Sequence, residues 1–301
     1  MGARPPAICC SRQTAAYSSG VTTSPAGGIL YVVSTPIGNL GDMSHRAVET
    51  LREVSLILCE DTRHSRALLD HYGIRTPTSS LHEHNEAREA ERVVARLAGG
   101  DSIALISDAG TPLLSDPGAR LVQSVIAAEG TVTPIPGASA LLSALVASGL
   151  AGEVFTFVGF LARKGKARAA QLEMLSDLPH TGVFYESPHR VGDTLDDLAQ
   201  ALGESAVSRR VVVARELTKR FEDFRRGTVA ELAAAYRESP PRGEVVILLE
   251  GRAEVVLDEA TLRDSAQLLR REGATTREIA RSLVERHGAP RNLAYRLAQD
   301  A

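Results

Sequence analysis

The strongest constraint on this chain is an alternation that runs from residue 29 to residue 149. Ile29–Val33, Val54–Cys59, Ile103–Ile106 and Val132–Ile135 are short, almost wholly apolar runs. Between them lie amphipathic stretches of helical period, at 44–52, 63–72, 85–97 and 118–129, and a further helix at 138–149 closes the unit. A strand apolar at every position has no wet face, so it needs cover on both sides, which crossover helices on a mostly parallel sheet supply. A change of texture at Ala151-Gly-Glu153 opens a second α/β unit, with strands expected at 154–158, 181–185, 211–214 and 245–249 and a helix at 229–237. From Leu262 onward the pattern is helical only. The expected architecture is therefore α/β: an extension at 1–28, α/β domains at 29–150 and 151–256, and a small helical tail at 257–301.

Charge is distributed unevenly. The chain carries a formal charge of -3, yet the stretch from Thr261 to the end holds eight Arg against five acids, leaving the rest at -6. Such asymmetry points to a polyanion met at one end of the molecule. An aromatic content of 4% with no Trp argues against a sugar-stacking cleft or an aromatic base-stacking sheet. Three cysteines, two of them adjacent (Cys9, Cys10), cannot build a disulfide framework, and a reducing, cytoplasmic setting fits best. The first 28 residues lack the apolar core of a signal peptide, and the uncharged stretch 131–152 is broken by Pro134, Pro136 and Gly137, so no membrane span is expected.

Familiar site motifs are missing. No G-x-G-x-x-G follows a strand, Gly165-Lys166 lacks the first glycine and the Ser/Thr of a P-loop, and no H-E-x-x-H, C-x-x-C or G-x-S-x-G occurs. The two histidines of Leu81-His-Glu-His-Asn-Glu86 lack further ligands at metal spacing, so no metal is expected and Asn85 is read as a helix cap or an RNA contact. What the strand ends do carry is Pro/Gly-shaped turns: 34–38, 107–118 (SDAGTPLLSDPG) and 134–139. Ligands of open parallel sheets sit outside the C-terminal strand ends. There glycines admit close backbone approach, and Asp108, Thr111 and Ser139 offer hydrogen bonds.

Beyond these general features, the block LYVVSTPIGNLGDMSHRAVETLREVSLILCEDTRHSRALL (30–69) strongly resembles the opening of the ribosomal small-subunit methyltransferase I family, within the tetrapyrrole-methylase superfamily. SDAGTPLLSDPG (107–118), PIPGASA (134–140), GFLARKGK (159–166), FYESPHR (184–190) and VVARELTKRFEDFRRG (212–227) match in order and spacing, so the resemblance covers about 29–298. It implies two α/β domains with S-adenosyl-L-methionine in the cleft between them, in a homodimer. The implied reaction is 2'-O-methylation of a cytidine ribose in 16S rRNA of the 30S subunit. It also implies that Asp108, Gly110, Thr111 and Leu113 lie at the methionine end of the cofactor, with further contacts from Pro36, Ala138, Ser139, Phe184 and Ala214–Leu217, and Gly243 at the adenosine end.

A ribose hydroxyl is a very weak acid, so a proton acceptor or an oxyanion stabiliser would help. Glu60, Asp61, His64, Glu186, Glu216 and Lys219 are candidates, and the sequence does not choose among them; the alternative is an ion-pair network with Arg63 or Arg215. Arg163, Lys164, Lys166 and Arg168 crowd four cations into six residues, suited to phosphates. In the tail, Thr275 or Thr276 caps one helix, Glu278 completes a capping box, and Pro290 starts another. That is helix-turn-helix spacing with Arg291, Asn292, Tyr295 and Arg296 outward, either an RNA-docking face or a cap on the dimer. Two competing functions remain from the sequence alone: a small-molecule tetrapyrrole methyltransferase, and a non-catalytic ligand-sensing DNA-binding regulator.

Overall fold

The computed structural model describes residues 27–82, 84–252 and 259–301. The chain divides into two units, the first comprising residues up to Thr35 together with Asp42–Gly137, the second Pro36–Gly41 and Ala138–Ala301.

In the first unit, strands β1 (Ile29–Val33), β2 (Leu56–Cys59), β3 (Thr78–Ser80), β4 (Ile103–Ile106) and β5 (Thr131–Ile135) form one sheet in the order β3-β2-β4-β1-β5. Every pairing in it is parallel. Helices α1 (His45–Glu53) and α2 (Thr62–His71) help build one core, in which Leu51 and Leu69 meet Val33, Ile57 and Ile106. On the other face α3 (Glu86–Ala98) and α4 (Ala119–Ala127) pack Val93, Leu97, Leu121 and Val125 on Leu30, Leu58 and Leu105. Consecutive strand residues thus enter opposite cores, which is why these strands read as unbroken apolar runs. Only β3 has no counterpart among the expected strands; at three residues of Thr and Ser it carries no apolar signal.

Helix α5 (Ala140–Ser148) belongs to the second unit, not the first as the sequence suggested. Leu141, Ala144 and Leu145 pack with Ile37, Val183, Val212, Val246 and Leu248. The helix is apolar enough to serve either sheet, and only long-range packing decides. The second unit's strands are β6 (Phe155–Phe160), β7 (Thr181–Glu186), β8 (Arg210–Arg215), β9 (Asp223–Thr228) and β10 (Val245–Leu249), in the order β6-β7-β10-β8-β9. Only β6 and β7 run parallel; the other three pairings are antiparallel. Its opposite face carries α6 (Gly165–Asp177), α7 (Val191–Leu202) and α8 (Val229–Glu238), around Leu175, Leu195, Leu198, Leu232 and Tyr236. Strand β9 and helices α6 and α7 are additions to the expected elements. β9 reads DFRRGT because it is a half-wet edge strand, where charge on the outer face guards against stray pairing.

The tail is helical: α9 (Glu259–Arg271), α10 (Thr276–His287) and α11 (Arg291–Asp300) enclose a small core of Leu262, Ala266, Ile279, Leu283, Ala294 and Leu297. Thr275 is the cap of α10 and forms the full capping box with Glu278. The expected boundary at 256/257 falls outside the described residues, as does most of the expected 1–28 extension. Gly28, counted with that extension, is in fact packed: its N–H donates to the Leu97 carbonyl at 2.7 Å, and a Cβ there would run into the Asp101 carbonyl. Among the described residues no helix is long and apolar enough to cross a membrane.

Candidate functional site

The first unit concentrates its polar groups at the C-terminal edge of the parallel sheet. Thr35, just past β1, exchanges two main-chain hydrogen bonds with Gly110 (2.8 and 3.0 Å), and its hydroxyl donates to the Ser107 carbonyl. The Ser34 hydroxyl reaches the Thr111 hydroxyl at 3.2 Å. The loop 107–118 is held as firmly at its far end. One carboxylate oxygen of buried Glu86 accepts the N–H groups of Gly118, Arg120 and Leu121 at 2.8–3.1 Å, capping α4 from α3. Between these anchors the backbone is strained: Leu113 and Ser115 sit at φ 74° and 73°, beside Gly110 at 80° and Gly118 at 120°. A non-glycine residue in that region costs about 1–2 kcal/mol, and such strain gathers where a ligand dictates the backbone path.

Carboxylates surround this loop. The Asp108 carboxylate accepts the Asp61 N–H at 3.4 Å, and Asp61 in turn caps α2 through the Arg63 N–H at 2.8 Å. Asp116 is pushed up to about 6 by its burial and by the nearby charges of Glu60 and Asp108. The edge therefore holds more negative charge than it can comfortably ionise, and a ligand bearing positive charge would relieve it. Glu60, Asp61 and His64 are exposed. Among the described residues no group of three or more His, Cys, Asp or Glu is placed to hold a metal. Asn85 does stand at the N-cap position of α3, but its side chain serves the preceding loop, accepting the His82 N–H and donating to the Ser80 carbonyl.

In the second unit the polar cluster is the turn after β8. Glu216 and Thr218 have φ of 50° and 65°. The Glu216 carboxylate accepts the Lys219 ammonium at 3.0 Å and the Glu244 N–H at 3.1 Å, and Lys219 also donates to the Glu244 carboxylate at 3.0 Å. The Glu244 N–H and the Lys219 ammonium hold Glu216 below the ordinary carboxylate range. Burial opposes the Lys219 charge, yet the hydrogen bonds to Glu244 and Glu216 outweigh it and raise its pKa. These bonds favour the ammonium form of Lys219, and Glu216 is already an occupied acceptor. Gly243 packs its Cα against the Glu216 side chain, and Gly38 against the Lys219 stem. Pro36 and Ile37 share this unit, Ile37 in its core.

Several expected roles change once contacts are visible. The side chain of Phe184 is fully buried in the core facing α6–α8, and Ala214 and Leu217 are buried in the core on the other face, so none of these side chains is open to a ligand. The Ser139 hydroxyl caps α5 by accepting the Leu142 N–H, while Ala138 packs against the same core. Glu186 is 2% exposed and takes the Thr194 hydroxyl at 2.7 Å, the Ser187 N–H at 2.8 Å and Arg190 at 3.4 Å, which removes it from the proton acceptors. Arg168, at 8% exposure, is bound to Asp197, Thr194 and the Ala162 carbonyl, so it is structural and not a phosphate contact. Its neighbours Arg163, Lys164 and Lys166 are exposed at the start of α6, which has no side-chain cap. Arg291 is exposed, and Arg296 pairs with Glu259 at 2.9 Å. Arg215 pairs with Asp223 on the neighbouring strand, which is not among the candidate carboxylates. The signal that separates structural from available charges is burial, which spacing does not encode.

Comparison with known proteins agrees with this geometry. Residues 29–233 match the family described as tetrapyrrole (corrin/porphyrin) methylases. A Synechocystis protein named ribosomal RNA small subunit methyltransferase I is 46% identical over 274 residues, covering 90% of this chain and 97% of that protein. Proteins of the same name from Xylella fastidiosa (47% over 270 residues, 89% and 98%) and Bacillus subtilis (42% over 282 residues, 90% and 95%) match similarly. Among solved structures, uroporphyrin-III C-methyltransferase of Thermus thermophilus complexed with S-adenyl homocysteine has a TM-score of 0.53 at 18% identity, covering 74% of this chain and 97% of that one. Diphthine synthase has a TM-score of 0.57 at 13% identity, covering 74% and 89%. The fold, the glycine- and proline-shaped strand ends and the near full-length identity agree: the chain belongs to the ribosomal RNA small subunit methyltransferase I family of tetrapyrrole-type methylases.

Proposed function

We propose that this chain uses S-adenosyl-L-methionine to methylate the 2'-oxygen of a cytidine ribose in 16S rRNA, acting on the 30S subunit. The observation that carries the reading is the loop 107–118: strained, anchored at both ends and ringed by Glu60, Asp108 and Asp116. Such a loop fits a compact cation presented to main-chain groups, and the chain lacks any glycine-rich pyrophosphate loop. When bound, the sulfonium donor supplies an electrophilic methyl group. In the first unit Thr111 and Leu113 present main chain to its methionine end, beside Gly110, whose own main chain is held by Thr35, and Asp108 faces its positive charge. In the second, the family resemblance implies cofactor contacts from Ala214–Leu217, with Gly243 at the adenosine end. The protein's chief contribution is alignment of oxygen, carbon and sulfur, an effect that reaches several kcal/mol. The transferred hydroxyl proton leaves to solvent or to exposed Glu60. Lys219, favoured as a cation, acts through its field.

Arg163, Lys164, Lys166 and Arg291 supply exposed positive charge for RNA phosphates in a chain of net -3. A ribosomal substrate implies a cytoplasmic enzyme. The exposed apolar side chains Leu142 and Val146 on α5 support self-association as a homodimer, which light scattering measures. The deciding experiment incubates the full chain with methyl-labelled donor and either 30S subunits, naked 16S RNA or a porphyrinogen, and maps the label. Label on one ribose, with 30S preferred, is the expected result. Label on the porphyrinogen, or on nothing, overturns the proposal.

A further inference from the structure

We propose that Arg190, Glu186 and Arg168 form a positioning clamp whose task is to fix the basic segment Arg163–Lys166 for its RNA partner; this rests on the RNA-methylation reading above. The clamp converges on one peptide unit. The Ala162 carbonyl accepts from Arg168 at 3.2 Å and from Arg190 at 3.2 Å, while the Ala162 N–H donates to the Gln171 side chain at 2.8 Å. Arg190 also reaches the Leu161 carbonyl at 3.4–3.5 Å. Three side chains, two from α6 and one from the turn before α7, thus hold the residue that precedes Arg163.

Both guanidinium groups are themselves held from behind. Glu186, at the end of β7, pairs with Arg190 and accepts the Thr194 hydroxyl, and Thr194 in turn accepts from Arg168 at 3.0 Å. Asp197 on α7 completes the chain with Arg168 at 2.7 Å. Thr194 is fully buried and the Glu186 side chain is wholly screened from water.

An arrangement of this kind is a poor choice for stability alone. Apolar residues of similar volume would serve a plain core as well or better, because burying charges costs more than their attraction usually returns. What a forked guanidinium adds is direction: planar donors fix the carbonyl they meet in position and orientation. Immediately beyond that fixed carbonyl the chain exposes Arg163, Lys164 and Lys166 together, with Gly165 at φ 81° turning it into α6. Flexible cations lose conformational freedom when they meet a phosphate backbone, and a rigid mount removes part of that cost.

The test compares full-length wild type with Arg190→Lys, which keeps the charge but loses the fork, and Thr194→Val, which keeps the shape but cuts the link between Arg168 and Glu186. Both are measured for methyl transfer to 30S subunits, for donor affinity by calorimetry and for amide exchange at Ala162–Lys166. Each variant should raise KM for 30S roughly tenfold, with kcat and donor affinity within about twofold, since a displaced RNA-binding segment weakens binding more than chemistry. Exchange at 162–166 should quicken. In a background already carrying Arg163→Ala, Lys164→Ala and Lys166→Ala, neither change should raise KM further. An additive rise in that background, or an unchanged KM in both variants, overturns the clamp while wild-type transfer stands. If Arg190→Lys does not fold, Thr194→Val decides alone. Absence of transfer by wild type refutes instead the reading on which the clamp rests.

Discussion

Replacing Gly243 by Ala tests how the second unit builds its polar turn. Gly243 has φ 86°, and a Cβ there would overlap the Glu216 carboxyl and stand 2.5 Å from its Cγ. The Glu216 side chain has no easy retreat, since it holds the Lys219 ammonium at 3.0 Å and the Glu244 N–H at 3.1 Å. The torsional penalty for Ala is about 1–2 kcal/mol. Expelling Glu216 forfeits hydrogen bonds in which a charged group takes part, about 1.5–3 kcal/mol in all. Together these give a loss of roughly 2.5–5 kcal/mol, or about 5–20 °C in Tm for a unit of this size. Circular dichroism melts at pH 7 read it directly. The double variant with Glu216→Ala isolates the clash: there Gly243→Ala should cost only the torsional part, about 1–2 kcal/mol. A Gly243→Ala protein melting within about 1 °C of wild type, or the same cost in both backgrounds, would refute the steric argument.

Three further outcomes follow from the same geometry. Asp116, raised to about 6, binds its proton more tightly folded than unfolded, so its favourable contribution is full below about pH 4 and lost as pH rises through about 6. Asp116→Asn should therefore melt above wild type at pH 7.5, with the gap closing towards pH 4; a gap independent of pH in urea or thermal melts contradicts the assignment. Glu86→Ala strands three N–H groups at the start of α4 and should cost roughly 3 kcal/mol in urea unfolding, with donor affinity falling as the 107–118 loop loosens. An unchanged urea midpoint would show that water replaces the carboxylate without loss. Combined Arg163→Ala, Lys164→Ala and Lys166→Ala should weaken 30S binding and flatten its logarithmic salt dependence by about 0.7–0.9 for each phosphate that is no longer neutralised. Calorimetry should find donor affinity unchanged, and a drop there would mean the segment serves the donor instead.

The sequence by itself determined the features that local period encodes. Four of the five strands of the first sheet, its covering helices and the capping box at Thr275–Glu278 could be read because apolar spacing of two or 3.6 residues, and a cap three residues from its partner, are short-range facts. The turns at the strand ends were legible for the same reason: prolines and glycines between apolar runs mark where a backbone must turn. Tertiary structure decided what depends on residues far apart in the chain. Arg168 and Lys166 look alike as neighbouring cations, yet Arg168 alone meets Asp197, 29 positions away, and is buried. Glu186 ends one strand and Glu60 follows another, but only Glu186 is enclosed by Arg190 and Thr194. Helix α5 could pack on either sheet, and β9 becomes a strand only because β8 lies beside it. Periodicity states which face of an element seeks burial; which partner supplies that burial, and so which charges are left for chemistry, is settled by packing.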